Sequence, residues 1–285
     1  MAKRKSCIDL DKIETVLTRQ TETGPQVVLP YENVDAADLP EVTVICVTRN
    51  RKKFAPILCD NWKRTYYPYD KISLLVIDDS DTVEQSPIRE LKAMNDKRIL
   101  FYRLTPIDGK PYSIGYKRNF GINLSKTEYV AMMDDDDFIF DESILIRICA
   151  LNFYKKQCVF SSEIGIYNTR KETSYVAEGF ADVAEGSLLF TKSFWIKSKF
   201  NEDGSSEGVQ LVRGQELDML RISFVFNLIV INHGSNTTGR VRDFRLILKG
   251  KAKEQMSMNP IIDFKKIFPE SFQKSLISVT DNAKI

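Results

Sequence analysis

Apolar runs alternate with polar segments along residues 42–133 of the chain. Four short apolar runs predict strands, at Val42–Val47, Ile72–Ile77, Ile99–Arg103 and Tyr129–Met133. The intervening segments predict helices, over Phe54–Thr65, Pro87–Asn95 and Ile114–Leu124. Strands that alternate with helices in this order predict a parallel sheet with helical crossovers, which is an α/β fold.

The pattern is mixed after residue 142. It predicts a helix over Glu142–Lys155, short strands over Val159–Tyr167 and Ser187–Thr191, a helical segment around Gly214–Phe224 and a late strand at Leu228–Ile231. The first 40 residues are polar and predict an extension with one short helix near Leu10–Leu17. We therefore divide the chain into an extension (1–40), a main domain (41–245, with halves 41–141 and 142–245) and a helical C-terminal extension (246–285).

Composition excludes several classes of protein. Of the 285 residues, 43% are hydrophobic and 28% are charged, which is typical of a globular chain, and the net charge of +2 does not indicate a nucleic-acid binder. The most apolar stretch, Ile222–Ile231, is too short to span a bilayer. Five cysteines without CxxC spacing favour reduced thiols. These features predict a soluble, cytoplasmic protein.

Polar side chains follow three of the predicted strands, at Thr48–Asn50, Asp78–Asp79 and Asp134–Asp137. In open α/β sheets ligands bind beyond the carboxyl ends of the strands, so these segments predict one pocket. Carboxylate oxygens suit Mg²⁺ or Mn²⁺, and such an ion would offset the repulsion among the aspartates and bind phosphate oxygens.

The four aspartates have a simpler interpretation, a solvated acidic loop. The apolar segments YVAMM and FIF on either side favour the binding site over that loop. In extended backbone, Asp134 and Asp136 would face one side and Asp135 the other. An EF-hand is excluded, because neither the glycine nor the final glutamate falls at the required position.

Three segments resemble family 2 glycosyltransferases. VTVICVTRNRKKF resembles their first strand and turn, LLVIDDSD resembles V-V-D-D-G-S, and GYKRNFGINLSKTEYVAMMDDDD resembles A-R-N-x-G followed by G-E-Y-I-x-x-L-D-x-D-D. The resemblance covers residues 42–141 well and continues loosely to about residue 240. It implies a GT-A fold with a Rossmann-like nucleotide-binding half (41–141) and an acceptor half (142–245). It also implies metal-dependent transfer, with inversion, from a UDP-sugar to a hydroxyl acceptor.

The resemblance also implies roles for single residues. They are nucleotide contacts at Thr48, Arg49 and Asn50, a nucleobase contact at Asp79, a donor contact at Arg118, ribose or metal-water contacts at Asp134 and Asp135, and metal ligation by Asp136 with Asp134. Arg49 stands where an aromatic residue is common, which weakens the expectation that this side chain stacks on the base.

Inverting transfer needs a carboxylate that accepts the proton of the acceptor hydroxyl. The family usually supplies it from an E-D pair at the start of a helix, and RGQELDMLRISF resembles that place with a Gln-Glu pair instead. Glu216 is the candidate base and Asp218 the second candidate. His233, the only histidine, is either a structural residue or a third metal ligand. Arg240 and Arg242 are candidates to neutralise the leaving diphosphate.

Two alternative functions stay open at this stage. A sugar-nucleotide nucleotidyltransferase shares a similar fold but normally has a glycine-rich loop after the first strand, which TRNRKK lacks. A non-catalytic module that binds a sugar nucleotide or a glycan would also fit the departure at the Gln-Glu pair. Without an apolar membrane span, a glycan or glycoprotein acceptor is the favoured partner.

Overall fold

A computed structural model describes residues 9–21, 24–29, 34–106, 109–178, 183–203, 207–233, 236 and 263–280. The strands are β1 (Glu14–Thr15), β2 (Thr18–Thr21), β3 (Gly24–Val27), β4 (Val42–Thr48), β5 (Ile72–Asp78), β6 (Ile99–Arg103), β7 (Tyr129–Met132), β8 (Phe138–Ile139), β9 (Cys158–Phe160), β10 (Glu163–Asn168), β11 (Thr173–Glu178), β12 (Leu189–Thr191), β13 (Met219–Arg221) and β14 (Leu228–Asn232). The α-helices are α1 (Ala55–Arg64), α2 (Ile88–Ala93), α3 (Ile114–Leu124), α4 (Ser143–Tyr154), α5 (Lys192–Lys197), α6 (Glu207–Val212), α7 (Phe264–Ile267) and α8 (Glu270–Thr280).

The main sheet has eight strands in the order β1-β13-β9-β12-β7-β4-β5-β6. Strands β4, β5, β6 and β7 are parallel, as the alternation of strands and helices predicts. Strand β12 runs antiparallel to both of its neighbours, β7 and β9, so β9 and β13 again run in the direction of β4. The predicted α/β fold with a mostly parallel central sheet is confirmed.

The central strands are buried because helices cover both faces of the sheet. In β4 the side chains of Val42, Val44 and Cys46 join one core cluster, whereas Ile45 joins another on the opposite face. This alternation is what a period of two residues requires of a strand that is covered on both sides. The polar residues that follow β4, β5 and β7 are therefore brought to the same edge of the sheet.

A second sheet, in the order β11-β10-β14-β8, packs beside the first. The C-terminal helices α7 and α8 close its outer side, where Phe138 lies 4.7 Å from Phe272 and 5.0 Å from Phe268 between ring centroids. The described part of the predicted C-terminal extension is thus helical and contributes to the core of the small sheet. Residues 246–262 lie outside the described residues.

Two sequence predictions are wrong in detail. The helix expected near Leu10–Leu17 is a single 3-10 turn, Leu10–Lys12, followed by β1, which pairs with β13 at the edge of the main sheet. The helical segment expected over Gly214–Phe224 is a 3-10 turn, Glu216–Asp218, followed by β13. Gly214 has φ = +81°, a left-handed conformation that ends helices, and the helix of this region is α6, one element earlier.

Membrane-spanning and disulfide features are both missing from the described part of the chain. None of its helices has the length and apolar character that crossing a bilayer requires. The four described cysteines are unpaired thiols, and burial raises the pKa of Cys59 and Cys149 to about 11.

Candidate functional site

A cavity of about 610 Å³ opens at the carboxyl ends of β4 and β7. We call one side the strand-end wall, which comprises the described cavity residues Thr48, Arg49, Arg51, Lys117, Arg118 and Asp134–Asp137. We call the other side the loop wall, which comprises Glu185, Glu202, Asp203 and Glu207. The loop wall lies in the half of the chain where the family resemblance is weak.

The described lining of the cavity is strongly charged. Eight carboxylates and four cationic side chains face it, the cations being Arg49, Arg51, Lys117 and Arg118. An anionic ligand such as a diphosphate would meet excess negative charge here. The lining therefore favours an anion that arrives together with a cation.

The four consecutive aspartates of the strand-end wall have different partners. Asp134 lies 3.3 Å from the Arg118 guanidinium, and Asp135 accepts a hydrogen bond of 2.6 Å from the Thr48 hydroxyl. Asp137 accepts a hydrogen bond of 3.0 Å from the backbone N–H of residue 231. The run is therefore not a solvated loop, because each side chain is held in its own direction and Asp135–Asp137 are buried.

Asp136 is the most heavily engaged member of the run. Its Oδ2 accepts a hydrogen bond from Arg51 and lies 3.0 Å from His233 Nε2. The same Arg51 Nη1 lies 3.5 Å from Asp135 Oδ1, so one guanidinium serves two buried carboxylates. The centroid of the Phe54 ring lies 4.9 Å from the guanidinium carbon of Arg51. The same centroid lies 4.4 Å from the centroid of the His233 ring.

Burial and charge separate the pKa values of these neighbours. Desolvation raises the pKa of Asp135 to about 7, although the nearby Arg51 charge opposes the rise. Burial also raises the pKa of Asp136, but the hydrogen bond from His233 and the charge of Arg51 outweigh it, so the net shift is downward. Asp136 is therefore the carboxylate of this pair that stays ionised most readily.

Asp79, the predicted nucleobase contact, has no free oxygen in this structure. Its Oδ1 lies 2.6 Å from Lys117 Nζ, and its Oδ2 accepts the backbone N–H of Tyr112 at 2.9 Å. The side chain is fully buried and does not line the cavity. The preceding Asp78 is also buried, and its Oδ2 is one of the few buried polar atoms in the described chain without a hydrogen-bond partner.

The turn after β4 is fastened to the loop after β5. Arg49 forms an ion pair of 2.7 Å with Asp81, and the Asn50 amide exchanges hydrogen bonds with the same residue. Asn50 has φ = +54°, a conformation that asparagine tolerates better than most residues. Thr48 and Arg49 face the cavity, whereas the Asn50 side chain shapes the turn.

Helix α3 joins the two walls of the cavity. Arg118 contacts Asp134 on one wall and lies 3.9 Å from Glu207 on the other. The Asn119 amide donates hydrogen bonds to Glu202 at 2.7 Å and to the carbonyl of residue 200 at 2.9 Å. At Gly115 the helix approaches the next segment so closely that a Cβ would lie 1.8 Å from the Asn201 carbonyl oxygen.

The structure does not bring Glu216 and Asp218 to the cavity. They precede β13, which runs parallel to β9 and in the direction of β4, so they lie at the amino edge of the sheet, opposite the cavity. Asp218 forms an ion pair of 2.8 Å with Lys197, and Glu216 accepts the backbone N–H of Gly214 at 3.2 Å. Both predicted catalytic residues therefore belong to the opposite edge of the main sheet.

Glu207 and Glu185 are the carboxylates that the sequence interpretation missed. Glu207 opens α6 beside Arg118, and desolvation raises its pKa, with further contributions from Glu185 and Asp134. A Cβ at Gly208, the residue after Glu207, would lie 2.7 Å from the Glu185 side chain, so Gly208 and Glu185 are in close contact. The signal in the sequence was a Glu at the first position of a short apolar helix, SSEGVQLV, nine residues before Glu216.

A buried arginine holds the turn that carries Glu185. Arg147 is 1% exposed and donates hydrogen bonds to the carbonyls of Ser187 at 2.9 Å and Leu188 at 3.3 Å. Asn227 donates to the same Ser187 carbonyl at 3.0 Å. Desolvation lowers the pKa of Arg147 to about 9. The turn that carries Glu185 thus rests on a buried polar network.

Asp136 and His233 are the described residues best placed to hold a divalent cation. Their contact atoms lie 3.0 Å apart, and one carboxylate with one imidazole is a donor set that Mn²⁺ accepts. No group of three or more potential ligands occurs among the residues that the structure describes. Asp136 and His233 would leave coordination positions of such an ion open to diphosphate oxygens, as is usual for Mg²⁺ sites. Arg240 and Arg242 lie outside the described residues.

Solved structures share this architecture at low sequence identity. A mannosyltransferase from Pyrobaculum calidifontis, in complex with GDP-Man and Mn²⁺, is 16% identical with a TM-score of 0.55, over 88% of this chain and 77% of its own. TarS 1-349 from S. aureus, in complex with UDP-GlcNAc, is 13% identical with a TM-score of 0.51, over 84% and 72%. These likenesses show the GT-A fold. None of the curated proteins matches the chain.

The family is decided by a longer match in sequence. The profile described as glycosyl transferase family 2 matches residues 43–197, which is more than half of the chain. The matched region contains the turn after β4, helix α3, the four aspartates and Glu185. The chain therefore belongs to glycosyl transferase family 2.

Proposed function

We propose that this glycosyltransferase moves a sugar from a UDP-sugar to a hydroxyl group of a glycan or glycoprotein, with a divalent cation and with inversion at the anomeric carbon. One observation carries the proposal: the cations and aspartates of the strand-end wall and the carboxylates of the loop wall line a single cavity. A donor and an acceptor can bind there on opposite sides of the reacting carbon.

The strand-end wall is assigned to the donor. Arg49, Arg51 and Arg118 supply guanidinium groups, which bind phosphate oxygens in pairs of hydrogen bonds. Asp136 and His233 are assigned to Mn²⁺ or Mg²⁺, which when bound stabilises the negative charge of the departing diphosphate. Uridine is the favoured nucleoside because the family resemblance implies a UDP-sugar donor, and the TarS neighbour was solved with UDP-GlcNAc, although the mannosyltransferase neighbour was solved with GDP-Man.

The loop wall is assigned to the acceptor, with Glu207 as the general base. A base works best when its pKa lies near the working pH, and desolvation moves the Glu207 carboxyl in that direction. Glu207 would take the proton of the acceptor hydroxyl while the oxygen attacks the anomeric carbon from the side opposite to the diphosphate. Attack from that side inverts the configuration. Glu185 is the second candidate, because it lies on the same wall and within the region that the family profile matches.

The test is an assay of transfer and of donor hydrolysis over a panel of nucleotide sugars, with and without Mn²⁺. We expect a UDP-sugar to turn over only with the cation, and Asp136→Asn to abolish turnover. Thermal shift identifies which donors bind, since a ligand that binds the folded state raises its melting temperature. Turnover of a GDP-sugar alone, or full activity in EDTA, would contradict the donor or the metal assignment respectively. Binding without any turnover would favour a non-catalytic module.

A further inference from the structure

Arg51 is the cation of the strand-end wall that contacts Asp136. It contacts the same carboxylate that we assign to the metal. Arg51 Nη1 and His233 Nε2 both meet the same atom, Asp136 Oδ2. A divalent cation bound through that oxygen would lie within a few ångströms of a guanidinium. Two positive charges at such a distance repel, and they repel more strongly in a partly dry site than in water.

We propose that Arg51 is an internal counter-ion that a divalent cation must displace before it can bind Asp136. Arg51 is the cation beside Asp135 and Asp136, adjacent residues whose side chains are 5% and 11% exposed. Such a pair is costly to bury without a cation nearby. In the absence of metal the guanidinium fills this role, and it therefore competes with the metal.

The displaced guanidinium has a new partner when a nucleotide is present. The Arg51 side chain is 17% exposed and lines the cavity, so a modest rotation brings it to the space that a diphosphate would fill. A diphosphate thus offers Arg51 another anion at the moment when the metal takes Asp136. The cation and the nucleotide then bind cooperatively, since each favours the same position of Arg51.

The neighbouring arginine provides a matched control. Arg49 lies on the same turn and lines the same cavity, but its ion pair is with Asp81, not with the aspartate run. Removal of either arginine takes one positive charge from the strand-end wall. The proposal requires that only removal of Arg51 changes the affinity for the cation alone.

The experiment is a titration of the nucleotide-free protein with Mn²⁺, in which electron paramagnetic resonance measures the concentration of the unbound ion. We expect Arg51→Gln to bind Mn²⁺ about tenfold or more tightly than the parent, which is the change expected when a repulsion of roughly 1.4 kcal/mol is removed. Arg51→Lys keeps the charge on a smaller group, so its affinity for Mn²⁺ should lie between those of the parent and Arg51→Gln. Arg49→Gln should match the parent within about twofold.

A second titration, with UDP present, measures the cooperativity. In the parent, UDP should tighten Mn²⁺ binding by a larger factor than in Arg51→Gln, because the variant has no guanidinium to relocate. Equal or weaker Mn²⁺ binding by Arg51→Gln, with thermal unfolding that shows a folded variant, would overturn the proposal. So would the same gain in Arg49→Gln, or no Mn²⁺ binding by any of the proteins.

The inference rests on the proposed metal-dependent function, but its test needs no turnover. If the titrations behave as expected and no donor is consumed, the counter-ion role stands and the catalytic proposal fails. If transfer is observed and Mn²⁺ binding does not respond to Arg51, the catalytic proposal stands and the counter-ion role fails.

Discussion

The two walls of the cavity hold their charged groups in different ways. On the strand-end wall each aspartate of the run has a specific partner, and Lys117 is paired with the buried Asp79 at 2.6 Å. On the loop wall four carboxylates lie on turns and short helices, and Glu207 is 3.9 Å from its cation, Arg118. One wall is thus largely neutralised, whereas the other keeps excess negative charge.

The difference indicates a division of labour. A wall with paired charges can exchange internal ion pairs for contacts to an anionic donor without leaving a carboxylate uncompensated. On the loop wall, desolvation raises the pKa of Glu207, and the nearby carboxylates of Glu185 and Asp134 add to the rise while Arg118 opposes it. A raised pKa suits a group that must accept a proton near neutral pH.

The largest expected effect follows from removal of the proposed base on the loop wall. Glu207→Gln should lower kcat on the order of 10²–10⁴-fold, because amides do not accept the acceptor proton as carboxylates do. Affinity for UDP should stay within about twofold, because the change lies on the other wall. Initial rates and isothermal titration calorimetry measure the two quantities.

Glu216→Gln is the matched control for Glu207→Gln. Glu216 lies at the opposite edge of the sheet, so kcat should stay within about twofold of the parent. Equal losses in both variants would break the assignment of the walls. In the parent, kcat should fall at acidic pH with a midpoint above 4.5, the ordinary pKa of a glutamate, because the base must be ionised.

The second expected effect concerns the close contact between helix α3 and the segment at Asn201, which we call the seam between the walls. Gly115→Ala places a methyl group 1.8 Å from the Asn201 carbonyl oxygen, so α3 and the loop wall must separate. Overpacking of this kind costs about 2–3 kcal/mol of unfolding free energy, which urea denaturation measures. Gly109→Ala serves as control, since that glycine has φ = +68° and open space around it and should cost about 1 kcal/mol. A smaller loss at Gly115 than at Gly109 would show that the seam is not tight.

The third effect tests the charge balance of the strand-end wall. The pKa of Asp135 is about 7 in the folded protein and near the ordinary 3.8 when unfolded, so the folded state holds a proton between these values. Stability should therefore fall as pH rises from about 4 to about 7. In Asp135→Asn most of this decline should be absent, as measured by urea unfolding in EDTA. An unchanged pH dependence would mean that Asp135 is ionised throughout.

The smallest effect is expected at the amino edge of the sheet. The Lys197–Asp218 ion pair is 2.8 Å long, but its side chains are 46% and 41% exposed. Lys197→Ala should change the unfolding free energy by less than about 0.5 kcal/mol, because solvent screens such pairs. It should also leave kcat unchanged in the transfer assay. A tenfold loss of kcat would return the amino edge to consideration as part of the site.

The strand-end wall was largely predictable from the sequence. Strands β4, β5 and β7 are apolar runs buried on both faces, and their polar ends meet because neighbouring parallel strands end at one edge. The prediction for Asp79 went further than this rule allows. Lys117 and Tyr112 occupy both of its oxygens, and neither contact is visible in a strand pattern.

The loop wall was not predictable in the same way. Glu207 and Glu216 are nine residues apart and both precede apolar segments, but a base was expected only at Glu216. Helix α6 starts at the cavity and leads to the opposite edge of the sheet, so only the first of them faces the cavity. The sequence predicted a helix where β13 lies, so the pattern did not show that Glu216 precedes a strand and lies at the amino edge.

The sequence by itself determined the parallel core, the turn after β4 and the position of the four aspartates, because these follow from the period of buried strands and from short-range order. Only the tertiary structure decided which carboxylates face the aspartates and which cations neutralise them. The antiparallel insertion of β12, the path of α6 and the contact of Arg51 with Asp136 depend on residues far apart in sequence. Charges interact through space, and only the folded chain sets those distances.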